Sequence, residues 1–463
     1  MASSHPGRAS RSSYARRNDR ARAQAAPRPR AAEPAGIEVN LPGKGEVLLT
    51  RRHFLYGIAG LAAIAAIGGG GYAYSQASAN SSGDVATLSV PEGSVFSSDD
   101  CTQIEDASTV VSMTASHELP YGSLVWASDD SIAACLLPTE TSKPLCQIGL
   151  LALGSGDCTT VVKHAVGEDD GFEIYDVRAC SNGLVWTEAD ILEGIWRVYH
   201  ATVNGVEVGE PALVEEGDSN WEMPTLAAAG GYAFWQMVPR TDGNASTERS
   251  KLKRARFGDS NVEEIYTSRG RMACAPCACG DGVVITPRAE TSGTYYQLTR
   301  IDAASGQTTD ALVLPSSMKP LEAAYGETGF SFAFESIYNY GAGIANLGTY
   351  TPVALPGSNL TGAAAAESYG AATWFRFGRT PSAAPAWCGK WFVVKSTSSV
   401  CGVDLDSRQY FAISADNGAD DYGEYLATTG TASRIVTFAN IDYQPLSGEA
   451  QKCCRVKIWE TKS

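Results

Sequence analysis

The densest set of chemically active side chains in the sequence is a cysteine cluster, formed by Cys274, Cys277 and Cys279. A C-x-x-C-x-C spacing presents thiolates that could bind zinc or form a redox disulfide. A zinc site needs a fourth ligand, and no histidine lies near this cluster in the sequence. We therefore expect these cysteines to form disulfides with other parts of the chain, and we predict no metal site and no cofactor.

Residues 416–421 are a second candidate, because they contain three aspartates and one asparagine. Carboxylate and amide oxygens are the ligands that calcium prefers, but an EF-hand loop places them at alternate positions and adds a distant glutamate. This stretch lacks that pattern. We interpret it as an acidic surface turn.

Groups for nucleophilic catalysis are scarce. Beyond residue 53 the histidines are His117, His164 and His200, and the chain has no G-x-S-x-G elbow, P-loop or G-x-G-x-x-G motif. Carboxylates remain as catalytic candidates, since paired acids serve many glycosidases and lyases. If the protein is an enzyme, Glu188 and Glu335 are the acid and base that we would assign.

Short strands separated by turns must position these groups. In residues 173–217, apolar and aromatic stretches alternate with turns at 181–183 and 204–205, which predicts four antiparallel strands. The second strand of this unit recurs along the chain at steps of 44 to 61 residues. The seven occurrences begin near residues 131, 183, 231, 282, 329, 390 and 434.

Four-stranded units at roughly this spacing are typical of a β-propeller. We therefore predict an all-β fold, a β-propeller of about seven four-stranded blades over residues 85–463. The last unit is one strand short, and we expect residues 85–90 to supply that strand and close the ring. Closure would protect the edges of the first and last sheets.

The segment YQLTRIDAASGQ, residues 296–307, ends an aliphatic strand in Asp-x-x-Ser-Gly. In this respect the body resembles TolB-like and quinoprotein-like β-propellers. The resemblance covers roughly residues 85–460 and rests on the repeated strand pattern. It implies a ring with a central channel, whose mouth is the usual place for a ligand.

Aligning the predicted second strands brings six polar residues into register near their ends. We expect these side chains to face the channel mouth and to bind a polar ligand or a peptide, although solvated strand ends are also commonly polar. The predicted binding residues are Glu188, Gln236, Arg288, Glu335, Lys395 and Asn440.

All twelve cysteines follow residue 100, and an even number of cysteines on one side of an export segment suggests disulfides. Cys135 and Cys146 lie symmetrically about residues 138–144, which read as the tip of a hairpin. We predict a cross-strand disulfide between them. The other pairings stay open.

Charge divides the chain into two parts. Residues 1–52 contain eleven Lys or Arg and four Asp or Glu, a balance of +7 within a whole-chain charge of −15, so residues 53–463 carry −22. An acidic body repels phosphates and argues against a nucleic-acid partner. Residues 1–49 have few large apolar side chains, and we predict a disordered basic cytoplasmic arm.

Residues 54–74 contain no charged side chain and are long enough for one apolar helix to cross a bilayer. The segment TRRHFLY, residues 50–56, resembles the twin-arginine export motif through Arg51, Arg52, Phe54 and Leu55, although Tyr56 replaces the usual lysine. Ala77 and Ala79 form an A-x-A signal-cleavage site. We therefore predict that residues 50–79 are a twin-arginine signal or a membrane-spanning helix.

The resemblance implies the twin-arginine export machinery as a partner. It also implies a propeller on the extracytoplasmic side, anchored in the cell membrane or released. We expect a binding or scaffolding module for an unidentified protein or polar ligand, because no α/β-hydrolase domain is expected. The alternative is a hydrolase or lyase acting on a glycan or peptide at the channel mouth. A sensor whose basic arm signals through a partner is a third possibility.

Overall fold

The computed structural model describes residues 36–41, 45–50 and 85–462, apart from gaps at 142, 241–247, 317, 335–342, 345–346, 380 and 445–449. Contacts divide the chain into two units, Met1–Tyr56 and Gly57–Ser463, and each is described by itself.

The described part of the first unit is an antiparallel hairpin. Strand β1 (Gly36–Leu41) pairs with β2 (Gly45–Thr50), with Ile37 opposite Leu49. The prediction of disorder throughout residues 1–49 does not hold for this stretch. The reason is visible in the sequence, because GIEVNL alternates apolar and polar residues as strands do.

The export motif (Arg51, Arg52, Phe54 and Leu55), the apolar segment 54–74 and the cleavage residues Ala77 and Ala79 lie outside the described residues. Where the structure does describe helices, none is both long and apolar enough to cross a membrane.

The second unit is built almost entirely of strands. Its first three, β3 (Val95–Ser97), β4 (Thr102–Gln103) and β5 (Val111–Pro120), join sheets formed by later parts of the chain. Sheet I contains β6 (Leu124–Trp126), β7 (Ile132–Pro138), β8 (Cys146–Ala152) and β9 (Cys158–Val162). Sheet II contains β10 (Glu173–Cys180), β11 (Gly183–Asp190), β12 (Ile195–Asn204), β13 (Glu207–Val208) and β14 (Ala212–Gly217).

Sheets III and IV each have four strands in chain order. Sheet III contains β15 (Thr225–Ala229), β16 (Tyr232–Met237), β17 (Lys251–Arg256) and β18 (Val262–Thr267). Sheet IV contains β19 (Cys277–Ala278), β20 (Gly282–Ile285), β21 (Gln297–Asp302) and β22 (Thr308–Val313).

The last three sheets each include one strand from residues 95–120. Sheet V contains β23 (Glu322–Gly326), β24 (Gly329–Phe334), β25 (Gly348–Pro352), β26 (Trp374–Phe377) and β3. Sheet VI contains β27 (Ala386–Cys388), β28 (Trp391–Lys395), β29 (Ser399–Asp404), β30 (Gln409–Ser414), β32 (Gly430–Ala432) and β4. Sheet VII contains β31 (Tyr425–Leu426), β33 (Arg434–Tyr443), β34 (Gln451–Thr461) and β5.

Helices are few in the described part. One α-helix, α1 (Gly362–Ala371), connects β25 to β26 within sheet V. Four 3₁₀ helices are also present there: Glu92–Ser94, Ser98–Asp100, Ala107–Thr109 and Glu168–Asp170.

Consecutive sheets contact one another mainly through their first two strands, and β5 of sheet VII contacts β7 of sheet I. Mainly antiparallel sheets in this cyclic order form a β-propeller. The core lies between neighbouring sheets. Phe375, Trp387 and Phe392, for example, pack between sheets V and VI, and burying each such side chain contributes about 1.5–3 kcal/mol.

Each of the seven predicted second strands is a strand that neighbours the first strand of its sheet. The predicted closing strand was wrong. Residues 85–90 form no strand, and Leu88 and Val90 are instead buried in the core between sheets IV and V. The outer strand of sheet VII is β5, which pairs with β34 over nearly its whole length.

Residues 95–120 thus follow the outer edges of three consecutive sheets. Strand β3 pairs in parallel with β26, β4 pairs in parallel with β30, and β5 pairs antiparallel with β34. An open edge presents unpaired backbone groups that invite pairing with another chain. The segment covers that edge on sheets V, VI and VII.

Candidate functional site

A buried ion pair lies where the first strand of sheet V begins. Glu322 opens β23, and it shares one row across the sheet with Ala333 and Thr349. Arg379, in the loop after β26, reaches back over this row. Its Nη2 donates to Glu322 Oε1, and its Nε donates to Thr349 Oγ1 at 2.8 Å.

The polar groups of this pair are removed from water. The side chains of Arg379 and Glu322 are 1% and 8% exposed. Burial raises the pKa of Glu322, and the charge of Arg379 and the hydrogen bond from Thr349 oppose that rise. Glu322 Oε2 and Arg379 Nη1 have no hydrogen-bond partner among the described residues.

Sheet VI contributes a lysine from the end of β28. Lys395 is 2% exposed and donates from Nζ to the carbonyl oxygens of Thr397 and Tyr422, at 3.0 and 2.7 Å. Burial lowers the pKa of Lys395 to about 8, although the charges of Asp420 and Glu424 favour its protonated form.

Sheet VII repeats the arrangement of sheet V. Glu424, directly before β31, accepts from Thr437 Oγ1 at 2.5 Å and from Lys457 Nζ at 3.3 Å. Lys457 also binds Asp416 Oδ1 at 3.0 Å, and Asp416 in turn binds Arg455. Burial raises the pKa of Glu424, against the opposing charge of Lys457.

We call Glu322, Arg379, Lys395, Glu424 and Lys457 the rim cluster. They belong to three consecutive sheets, and Lys395 interacts electrostatically with both Arg379 and Glu424. The cluster combines two carboxyl groups of raised pKa with three cationic groups. Glu322 Oε2 can accept and Arg379 Nη1 can donate a hydrogen bond to a polar ligand, and a raised pKa favours the protonated form of a carboxyl group, which can donate a proton.

Of the six predicted binding residues, Lys395 belongs to this cluster. Glu188 is fully buried, and its two oxygens accept from Val166 N at 2.7 Å, Gly167 N at 3.0 Å and Trp186 Nε1 at 2.9 Å. It therefore fastens the loop between sheets I and II to β11.

Gln236 and Asn440 have similar positions on their sheets. Gln236 Nε2 donates to Cys274 O at 3.0 Å, and Asn440 Oδ1 accepts from Gly122 N at 2.9 Å. Each bond joins a second strand to the loop that leads to the next sheet. These amides therefore hold neighbouring sheets together.

Arg288 and Glu335 complete the six. The backbone nitrogen of Arg288 donates to Ser268 Oγ at 3.1 Å, and its guanidinium lies 5.6 Å from the Tyr296 ring. Glu335 lies outside the described residues.

Sequence reasoning missed Glu322, Arg379, Glu424 and Lys457. The two acids had a readable signal, because each stands immediately before or at the start of a short apolar first strand. The two cationic residues, Arg379 and Lys457, had no such signal in the sequence.

The predicted disulfide between Cys135 and Cys146 does not fit the strand register. Cys135 lies opposite Gly149, and Cys146 lies opposite Pro138, so the two cysteines are three positions out of step. The apparent symmetry misled the prediction, because Pro138 and Cys146 are the last paired residues and the midpoint of the hairpin tip lies closer to Cys146 than to Cys135.

The C-x-x-C-x-C cluster is buried around the start of sheet IV. Burial raises the pKa of Cys274 and Cys279 to about 12, which keeps both thiols protonated at neutral pH. In the described ranges, no three His, Cys, Asp or Glu side chains are grouped so as to hold a metal ion.

In the acidic turn at residues 416–421, Asp416 forms ion pairs with Lys457 and Arg455.

Comparison with known proteins gives a likeness of fold. No family model matches the chain, and no curated protein matches it. Among solved structures it is similar to a prolyl endopeptidase, with a TM-score of 0.44, 11% identity and coverage of 70% of this chain and 46% of that one. The match thus spans about half the length of that enzyme.

Two further structures are matched over most of their length. One is the β-propeller domain of the Trilobed protease from Pyrococcus furiosus, with a TM-score of 0.43, 8% identity and coverage of 74% of this chain and 96% of that one. The other is an oligogalacturonate lyase in complex with manganese, with a TM-score of 0.41, 8% identity and coverage of 74% and 89%.

Proposed function

We propose that this protein is an extracytoplasmic β-propeller that binds a polar ligand, a glycan or a peptide, at the rim cluster. The observation that carries the proposal is the pair of buried, unpartnered atoms Glu322 Oε2 and Arg379 Nη1. A buried polar atom without a partner costs about 1–3 kcal/mol, so such atoms call for an explanation. A ligand that supplies one donor and one acceptor removes both costs.

The chemistry of the pair narrows the ligand class. Glu322 Oε2 accepts a hydrogen bond, and Arg379 Nη1 donates one. A peptide amide, or two neighbouring sugar hydroxyls, offers one donor and one acceptor. An apolar ligand offers neither and would leave both atoms unpartnered.

The proposal includes the ring and its location. Each of the seven sheets is one blade, and the pairing of β5 with β34 closes the ring. The TRRHFLY motif and the apolar segment 54–74 support a location outside the cytoplasm, with the propeller either anchored in the membrane or released after cleavage near Ala79. Delivery through the twin-arginine machinery suits this fold, because its closing sheet joins distant parts of the chain and is complete only after folding.

Oligosaccharide and peptide arrays probed with the purified full-length chain test the binding proposal. Glu322→Gln and Arg379→Lys should each weaken binding to the same ligands by about 10-fold or more, since each removes a charge-assisted bond. Asp310→Asn is the matched control, because Asp310 is equally buried but lies on β22 in sheet IV. Binding that survives both rim substitutions contradicts the proposal.

A second candidate is a hydrolase or lyase acting on the same ligand. It is favoured by the raised pKa of Glu322 and of Glu424, since a general acid must be protonated near the working pH. We assign these two acids in preference to Glu188, because three N–H groups occupy the oxygens of Glu188.

Turnover of the ligands found on the arrays separates the two candidates. An enzyme should release products that disappear in Glu322→Gln and Glu424→Gln, while thermal unfolding shows that both variants are folded. Ligands that are bound and returned unchanged support the binding module.

A further inference from the structure

A cleft of about 470 Å³ lies between the outer strands of sheets VII and I, and none of the rim-cluster residues lines it. Strand β5 forms one wall through Glu118, Leu119 and Pro120, and the β7–β8 hairpin and β9 form the other. Cys158, the first residue of β9, is half-buried and opens into this cleft.

Behind Cys158 lies a second thiol. Cys135 of β7 is fully buried, and the two thiols form a hydrogen bond across Gly149 of the intervening strand β8. Gly149 makes this contact possible, because a Cβ atom there would lie 3.0 Å from Cys158 Sγ. Cys454, also buried, faces Cys135 from sheet VII.

The hydrogen bond distinguishes the two cysteines. It lowers the pKa of Cys158, although partial burial of Cys158 acts in the opposite direction. Cys158 is the more exposed of the two thiols and ionises first. The same bond, together with burial, raises the pKa of Cys135 well above its usual range. Cys158 is therefore the nucleophile and Cys135 the donor that stabilises its thiolate.

The strand order prevents the two thiols from joining. Strands β7 and β9 are separated by β8, and alternate strands of a sheet lie about 9.5 Å apart. A disulfide requires Cα atoms within about 6.8 Å of each other. Cys135 cannot attack a disulfide formed at Cys158 unless the sheet comes apart.

We propose that Cys158 is a site of stable S-thiolation by a small disulfide bound in this cleft. The Cys158 thiolate attacks one sulfur of R–S–S–R, a Cys158–S–S–R bond forms, and R–S⁻ leaves and takes up the proton that Cys158 released. The small disulfide is the oxidant, so the step is balanced. The adduct persists because Cys135 cannot resolve it. A peptide-like R group fits walls that carry Thr160, Gln147 and Glu118.

Incubation of the purified full-length chain with oxidised glutathione, followed by intact-mass measurement and peptide mapping, tests the proposal. One glutathione should be added, at Cys158. Cys101 is the internal reference, because it is also partly exposed but burial raises its pKa. We expect Cys158 to react at least about 10-fold faster than Cys101.

Two variants test the role of Cys135. Cys135→Ala removes the hydrogen-bond donor and should slow the reaction of Cys158, whereas Cys135→Ser keeps a donor and should retain most of the rate. Dipyridyl disulfide, whose released thione absorbs light, gives the rates directly. The proposal is overturned if Cys158 reacts no faster than Cys101 in the wild-type chain, or if mapping finds a Cys135–Cys158 disulfide in place of the adduct.

Discussion

Arg455 of β34 binds Glu118 of β5 through Nη2 and Oε1 at 2.9 Å, although 337 positions separate them in the sequence. The pair lies on the sheet that joins the two ends of the propeller. The backbone ladder around it runs from Thr461 opposite Val111 to Cys453 opposite Pro120. Sheet VII is therefore the element whose stability decides whether the ring stays closed.

Truncation of a core residue in this sheet should destabilise the whole propeller. Ile458 is fully buried between sheets VII and I, and Ile458→Ala should lower the free energy of unfolding by about 2–5 kcal/mol, since the cavity refills poorly. Met113 of β5 is 53% exposed, and Met113→Ala should cost less than about 0.5 kcal/mol. Urea titrations followed by tryptophan fluorescence measure both, and equal effects would contradict this description of the core.

Lys395 should make stability depend on pH. Its pKa falls from 10.5 to about 8 in the folded protein, so the unfolded chain binds more protons between these values. Stability from this group therefore rises as the pH increases from about 8 to 10.5. The difference in unfolding free energy between the wild type and Lys395→Met should grow in favour of the wild type over that range.

Chemical denaturation at four or five pH values within this window provides the measurement. Comparing the two proteins cancels the titration of groups that they share. Lys390→Met is the control, because the side chain of Lys390 is 60% exposed. If the difference in unfolding free energy between the wild type and Lys395→Met stays constant or shrinks as the pH rises, the pKa of Lys395 is not lowered in the folded protein.

Sequence periodicity located the second strands because these strands are buried on both faces and read as apolar runs between turns. It missed β5, in whose sequence VSMTASHELP half of the residues are polar. One face of an outer strand is exposed, so polar residues separate the apolar residues of its buried face and no continuous apolar run appears in the sequence. Residues 85–90 looked more like a strand, but Leu88 and Val90 fill the core without joining a ladder.

The site was harder to predict than the fold. Alignment of strand ends found Lys395, but most residues at that register position bind loop backbone. The partner of Glu322 is Arg379, 57 positions later, in a loop that has no repeating pattern. Such a pair follows from how neighbouring strands are placed in three dimensions, and a single sequence does not contain that information.

Gly149 should tolerate no side chain. A Cβ atom there would lie 2.8 Å from Leu137 Cδ1 and 3.0 Å from Cys158 Sγ, so Gly149→Ala should destabilise the protein by about 1–3 kcal/mol. At Gly154, in the turn after β8, an added Cβ would meet no atom within 4 Å, and Gly154→Ala should be nearly neutral. Thermal unfolding of the two variants compares them, and a neutral Gly149→Ala would show that Leu137 and Cys158 leave room for a side chain at this position.

Glu188 should matter for stability and for the order of one loop. Glu188→Ala leaves the N–H groups of Val166, Gly167 and Trp186 without their acceptor. The bonds from Gly167 and Trp186 are buried, and each of these two orphaned donors costs about 1–3 kcal/mol. We expect a total loss of about 3 kcal/mol or more in urea titrations, together with faster proteolysis within residues 163–170. Glu193, exposed in the turn between β11 and β12, is the control, and Glu193→Ala should change neither quantity. If Glu188→Ala unfolds at the wild-type urea concentration, the carboxylate does not hold the loop, and Glu188 becomes available again as a ligand-binding group.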